Sequence, residues 1–393
     1  MKVLVLGGQL QGTEITYLAQ QAGWEVTVAD RNETALASKL CDHFVCTDIK
    51  EAGPELFKGH DLVFPALEDL ETLHCAKRLT AEAKVPFVFD EQAYVLSRSK
   101  IQTNDFLKGI GVDIPPLLED LSTADDNKGS CYIVKPDCSS GSKGLRCFIE
   151  AGAARDFIEQ HQGESLFGQA FYEGPIYSIE VVCDNGVATQ YLITEVVVDA
   201  EYDCHRIVAP ADIPAKLKEQ IKDISLRIGQ ALQMKGIFDI ELVLHGSVPY
   251  VLEIDARMPS QTPIAVYYAC GVNLVVETAR SFLAPLMLQA EVDESPGIDL
   301  DDSACSYVIL QHVCVKGNTL QDIHLIGEGQ LKGAPPFIKQ DGFCGTDSAL
   351  VSTDTQLGYT YATLIAKDVS HDLVADKMNR IIKQLAGMEA IGD

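Results

Sequence analysis

Two short runs of alternating carboxylates dominate the chemistry this chain could perform. Asp239-Ile-Glu241 is followed, after a hydrophobic hairpin, by Glu253-Ile-Asp255-Ala-Arg257. Both runs read as strands: 236–245 goes out, Gly246-Ser-Val-Pro249 turns, and 250–255 comes back. Residues two apart on a strand share a face. Asp239 and Glu241 therefore point one way, and Glu253, Asp255 and Arg257 form a matching row on the partner. Carboxylates forced together repel, and burying them unpaired is costly. A hard divalent cation resolves this, and Mg²⁺ is typically held by one or two carboxylates plus substrate phosphates. Arg257 then stands where a phosphate or an acyl oxyanion develops charge. The plainer reading, a sheet face laced with surface ion pairs, fits poorly with the clean alternation and the apolar flanks.

Upstream lies a second set of groups suited to phosphate. Ser139-Ser-Gly-Ser-Lys-Gly144 falls between two expected strands, so it is a glycine-rich hairpin loop rather than a loop opening a helix. Its backbone N–H groups can fold over phosphates. Lys135 on the preceding strand, and Lys100 on an earlier helix, supply point charges. Each lysine alone would pass for an ordinary surface residue. Leu166–Gly174 reads as a hinge strand that could pair with an adenine edge, or as a plain core strand.

These groups need a scaffold. Residues 1–95 alternate strand (2–6, 25–29, 43–46, 62–64, 86–89) and helix (13–22, 70–83), the pattern of a parallel sheet wrapped by helices. The turn Gly7-Gly8-Gln-Leu-Gln-Gly12 has GGxxxG spacing rather than GxGxxG, a weak dinucleotide signal, and Asp30 reads equally well as a strand-end residue. A helix over 97–107, a polar loop at 122–129, strands at 132–135, 145–149, 166–171 and 176–183, and helices at 151–161 and 214–234 lead to the carboxylate hairpin. An acidic, Pro- and Gly-punctuated linker at 291–302 precedes a last segment with strands near 306–313, 337–338 and 359–366 and a closing helix over 370–385.

The bulk numbers bound the function. At 393 residues the chain is too long for one ordinary core. A formal charge of −26 argues against nucleic acid, whose backbone needs clustered Lys and Arg. No apolar run approaches the ~20 residues of a membrane span. Twelve cysteines without a CxxC pair, behind an N-terminus too brief for a signal segment, are expected as reduced thiols in a cytoplasmic protein.

Taken in order, the Rossmann-like start, the Lys-bearing helix, IVKP, the small-residue loop, QAFYEG, DIE and EIDAR resemble the ATP-grasp ligases over residues 1 to about 290. The resemblance implies an α/β ATP-grasp fold. Residues 1–95 would form an N-terminal Rossmann-like parallel-sheet domain, and 96–290 the ATP-grasp domain, with a lid at about 111–170. Residues 291–393 would be a small C-terminal α+β domain. It implies ATP and two Mg²⁺ ions. Lys100 and Lys135 would bind the phosphates, and Ser140, Gly141, Ser142 and Gly144 would cover them. Gln169, Ala170 and Tyr172 would meet adenine. Glu241, Glu253 and Asp255 would hold metal, with Asp239 a further ligand, and Arg257 would stabilise the transferring phosphoryl group alongside Lys135. Two positions depart from the family pattern: Asp255 replaces the usual Asn, and Gln169-Ala170 replaces the paired acids of the hinge.

Longer blocks, GGQLQG at 7–12, Glu201-Tyr-Asp-Cys-His205 and EIDARMPSQTPIAVYYACGVNL at 253–274, are similar to the branch of that family serving pyrrolysine biosynthesis. That similarity implies 3-methyl-D-ornithine as acyl donor and the ε-amine of L-lysine as acceptor, joined through an acyl phosphate. The lysine ammonium, with a reference pKa of about 10.4, must lose a proton before attack. Asp203, His205 and Glu180 are the groups considered for that step. Glu68 and Asp69 at the carboxyl edge of the first sheet, and Ser260, Gln261 and Thr262, complete the candidate substrate contacts. A homo-oligomer is compatible with the sequence. The rivals are a ligase for another amino acid or a purine-pathway substrate, a nicotinamide-dependent dehydrogenase, and a non-catalytic scaffold. The dehydrogenase leaves DIE, EIDAR and the loop without a role.

Overall fold

Strand β1 (Lys2–Leu6) is wholly apolar after its first residue because both of its faces are covered. It lies inside a parallel sheet in the order β3 (His43–Cys46), β2 (Glu25–Asp30), β1, β4 (Leu62–Pro65), with helices α1 (Leu10–Gln21) and α2 (Leu70–Ala83) against it. The computed structural model describes residues 1–121, 131–138, 144–184, 186–283, 304–316 and 322–386. The polar loop expected at 122–129, most of the loop from Ser139, and the linker at 291–302 lie outside the described residues.

The GGxxxG turn has a packing explanation. A Cβ on Gly7 would strike the Ala66 carbonyl, and one on Gly12 would strike the carbonyl of Gly7, which itself sits at φ +102°. Asp30 accepts a hydrogen bond from Gly8 N at 2.7 Å, so its carboxylate braces this turn. The strand expected at 86–89 is reduced to an isolated bridge between Val63 and Phe87, since Pro86 has no N–H to give.

The single helix expected over 97–107 is two. Helices α3 (Glu91–Arg98) and α4 (Lys100–Gly109) meet at Ser99, which adopts extended φ/ψ and caps both. A small antiparallel sheet follows, ordered β6 (Arg146–Phe148), β5 (Cys131–Pro136), β7 (Leu166–Phe171), with helix α5 (Ala151–Gln160) packed against it. The carboxylate hairpin, β11 (Gly236–His245) and β12 (Val248–Asp255), turns through two residues rather than four. It is one edge of a ten-stranded sheet, in which β11 pairs β8 (Ile176–Asp184) and the order continues through β9 (Val187–Val198) and β10 (Cys204–Ala209). Beyond β10 come β13 (Tyr307–Val315), β17 (Tyr359–Asp368), β16 (Ser348–Asp354) and β15 (Ile338–Gln340), with β14 (Ile323–Leu325) on β13. The C-terminal strands therefore continue the same hydrogen-bonded surface, and the short helix Glu328–Leu331 on that segment is carried to the site. Helices α6 (Ala215–Leu232), α7 (Thr262–Cys270) and α8 (Leu274–Phe282) cover the sheet. Among the described residues no helix is long and apolar enough to cross a membrane.

Candidate active site

The hairpin register places Asp239 opposite Asp255 and Glu241 opposite Glu253. A bulge immediately after the Glu241–Glu253 pair twists the ladder where the acids stand. Burial and mutual repulsion push three of the four toward their neutral forms. Burial, then Asp255, drives Asp239 well upward; burial, then Glu253, takes Glu241 to about 8. Burial raises Asp255 to about 6 against the pull of Arg257. Glu253 differs: burial opposes its charge, but Lys100 and Lys135 outweigh that and hold it below the ordinary carboxylate range. Lys100 Nζ lies 3.1 Å from Glu253 Oε2. Arg257 Nη2 donates to Asp255 Oδ2 at 2.7 Å and stands 3.4 Å from Glu68 Oε1. With its amide turned oxygen-first, Gln11 accepts from Arg257 Nε at 3.1 Å.

Such a row is suited to Mg²⁺. Asp239 Oδ1 is buried without a hydrogen-bond partner. Among the described residues, no three acidic, His or Cys side chains form a ready-made metal cage. Mg²⁺ is a hard cation usually held by one or two carboxylates and completed by substrate phosphates. When bound, it would neutralise phosphoryl oxygens.

Both lysines are positioned by one turn. Asp137, directly after the Lys135-Pro136 strand end, accepts from Ser99 Oγ and Ile101 N, each at 2.9 Å, while Lys100 N donates to its carbonyl at 3.2 Å. The N-terminus of α4 is thereby tied to the end of β5. Burial lowers the Lys135 ammonium to about 8, opposed by Glu253. Lys100 also loses by burial, but Glu253 and Asp255 more than compensate and raise it.

These groups line a cleft of about 340 Å³ between the small sheet and the hairpin. Gln169, Ala170 and Tyr172 lie on its wall, and the Tyr172 ring stacks on His245 at 4.2 Å. The Ala170 N–H is given to Pro116 O at 2.8 Å, so adenine recognition there cannot use it. Gly144 is described, at φ +78° against Pro136, whereas Ser140, Gly141 and Ser142 lie outside the described residues. A second cleft, about 790 Å³, opens at the carboxyl ends of the four parallel strands, where Gly7, Asp30, Asp48 and Glu68 stand. The two clefts share Arg257, Ser260 and Glu328.

The candidate substrate contacts fall unevenly on this geometry. Glu68 and Asp69 line the second cleft, although Asp69 also caps α2 through Thr72 N and pairs with Lys50 at 3.0 Å. Ser260, Gln261, Thr262 and Asp203 line the first. Glu180 is fully buried opposite Asp239, and burial raises it to about 7. His205 lines neither cleft; Gln311 Nε2 lies 3.2 Å from its Nδ1. Gln11 and Glu328 were not singled out from sequence. Gln11 sits inside the GGQLQG block, and the glycines flanking Glu328 were the signal for that residue.

Residues 97–261 match the ATP-grasp domain family model. In overall fold the chain is similar to N5-carboxyaminoimidazole ribonucleotide synthetase from Thermus thermophilus, with TM-score 0.70, 16% identity and all of both chains covered. It is likewise similar to the biotin carboxylase domain of Hydrogenobacter thermophilus 2-oxoglutarate carboxylase in complex with MgADP, with TM-score 0.68, 15% identity, and 96% and 88% of the chains covered. The domain match, together with the sequence relatives, makes this chain an ATP-grasp enzyme, an ATP-dependent ligase forming a C–N bond. In sequence the chain is 35% identical over 283 residues to the 3-methyl-D-ornithine–L-lysine ligase of Methanosarcina barkeri, spanning 71% of this chain and 73% of the relative. The Methanosarcina mazei enzyme of that name is 33% identical over 283 residues, 71% of each. This chain belongs to that ligase family.

Proposed function

We propose that the protein joins the carboxylate of 3-methyl-D-ornithine to the ε-amine of L-lysine, at the expense of ATP, as a step of pyrrolysine biosynthesis. A carboxylate is a poor acylating agent. One of its oxygens attacks the γ-phosphorus of ATP, ADP leaves, and the acyl phosphate so formed has a good leaving group. Lys100 and Lys135 neutralise the phosphate oxygens, while Glu253, Asp255 and Glu241, with Asp239, would hold two Mg²⁺ ions. Arg257 faces the charge that builds on the phosphoryl group and then on the tetrahedral oxyanion. The amine forms the C–N bond, the C–O bond breaks, and phosphate departs with its electron pair. The ammonium loses two protons in all, one before attack and one after.

The observation that carries this reading is the meeting of the two clefts at Arg257. The smaller cleft is lined by the lysines and carboxylates that we assign to phosphate and metal, and the larger is rimmed by acids suited to cationic amino acids. Residues 1–95 then supply the substrate edge, 96–290 the nucleotide machinery with its lid at about 111–170, and 291–393 close the junction. The test is ADP release with Mg-ATP across a panel of donors and acceptors. The predicted result is release that requires both a D-ornithine donor and lysine, fastest with the 3-methyl donor. Release only with other pairs would keep the ligase and discard these substrates.

A further inference from the structure

Glu328 is held in a way that surface carboxylates are not. Its Oε2 accepts from Gln261 Nε2 at 2.6 Å and Ser260 Oγ at 3.0 Å, and Lys332 Nζ lies 3.5 Å from Oε1. The side chain is 18% exposed, and that exposure opens onto both clefts. The backbone beneath it is clamped as well. Asp203 Oδ2 accepts from Gly329 N at 2.8 Å, and a Cβ on either Gly327 or Gly329 would strike the Asp203 side chain. Only glycines on both sides of Glu328 permit that approach.

The clamp continues inward. Gln261 sits at φ 75°, ψ −51°, a strained conformation for a residue with a Cβ. Its Oε1 accepts from His312 Nε2 at 2.6 Å and from Cys204 Sγ at 3.3 Å. His312 Nδ1 in turn lies 2.9 Å from Thr363 Oγ1. The imidazole is buried and kept neutral, burial lowering it to about 4, so it can donate from Nε2 while accepting at Nδ1. This chain of bonds fixes the Gln261 amide with its N–H₂ toward Glu328. A strained backbone and a buried relay, aimed at one carboxylate that lines both clefts as Arg257 does, are features of a preorganised site.

We infer that Glu328 receives the ε-ammonium of the acceptor amino acid and sets that nitrogen beside Arg257, with Gln261, His312 and Asp203 as positioning residues. This rests on the ligase reading above and adds to it the group that selects a cationic acceptor. It also gives the C-terminal segment a function, since Glu328 and Lys332 close the junction from that side. An ammonium held by this carboxylate distinguishes lysine from an acceptor-shaped amino acid with an apolar end, such as norleucine.

The experiment is calorimetric titration of the full chain, loaded with Mg²⁺ and a non-hydrolysable ATP analogue, with lysine and separately with norleucine. For the unaltered protein, lysine should bind more tightly. Glu328→Gln, close in shape and partly exposed, should weaken lysine on the order of 10- to 100-fold and leave norleucine and the nucleotide analogue within about 2-fold. Glu328→Asp should recover part of the lysine preference, and His312→Asn should reduce it without moving nucleotide affinity. Retention of the full preference in Glu328→Gln would overturn the inference. Failure of the unaltered protein to bind lysine at all would instead overturn the assigned substrate. Should Glu328→Gln not fold, the preference measured in His312→Asn and Glu328→Asp decides, and two unchanged values would overturn the proposal.

Discussion

Lys100 on helix α4 and Glu253 on strand β12 face each other at 3.1 Å, joining the helix proposed to bind phosphate to the strand proposed to hold metal in one charged unit. Each keeps the other ionised against burial. Glu253→Gln removes the one acid of the row held firmly as an anion. Turnover should fall by at least ~100-fold and lose its Mg²⁺ dependence, with the melting temperature close to that of the parent. Initial rates across a Mg²⁺ series, beside thermal melts, check this; near-normal rates would refute the metal assignment.

Arg257 is 17% exposed and anchored by Asp255 and Glu68. On the proposed role, truncation removes a donor aimed at developing charge rather than a nucleotide anchor. Arg257→Ala should therefore lower kcat by about 10²- to 10³-fold while the KM for ATP changes little. A rise in KM alone would place Arg257 in nucleotide binding instead.

Asp137 ties α4 to the end of β5, so its loss should be felt at both lysines. Asp137→Ala should cost roughly 1 kcal/mol of stability through lost cap-type hydrogen bonds and raise the KM for ATP more than it lowers kcat. Denaturant melts and ATP titrations of the rate measure the two effects.

Glu14, behind Gln261, offers a pH test of stability. Burial raises it from its ordinary 4.5 to about 8, against the hydrogen bonds from Ile264 N and Gln261 N. Folded protein keeps this carboxyl protonated while the unfolded chain ionises above about 4.5. Its stabilising contribution is fully present below that pH and is lost as pH rises toward about 8, with a slope of at most about 1.4 kcal/mol per pH unit. Glu14→Gln should flatten that part of the stability profile, as chemical denaturation at several pH values will reveal.

How much of this was legible in the sequence depended on whether the signal was local. The hairpin acids could be read because strand alternation alone puts Asp239, Glu241, Glu253 and Asp255 on a shared face, and the register bears out that pairing. Strands 2–6, 43–46 and 166–171, short and mostly apolar between clear breakers, and helix 70–83, with apolar positions at helical spacing, match residue for residue. The break at Ser99 is hard to read because helix periodicity continues across it; its extended backbone and the bond from Gln102 N to Ser99 Oγ at 3.2 Å mark the cap, which Asp137 then braces. Strands β9 and β10 and helices α7 and α8 went unassigned, and α7 is apolar on all sides, so it has no amphipathic pattern to read. Glu328 lies 75 residues beyond Glu253 in the sequence and reaches the site only through the continuous ten-stranded sheet, which no local pattern announces.

The central claim, amide formation through an acyl phosphate, is tested most directly by labelling the donor carboxylate with heavy oxygen and running one turnover with Mg-ATP and lysine. Mass spectrometry should find one labelled oxygen in the inorganic phosphate, ADP rather than AMP, and an amide joining the donor carbonyl to the lysine ε-nitrogen. Unlabelled phosphate, or label appearing in AMP, would contradict the account.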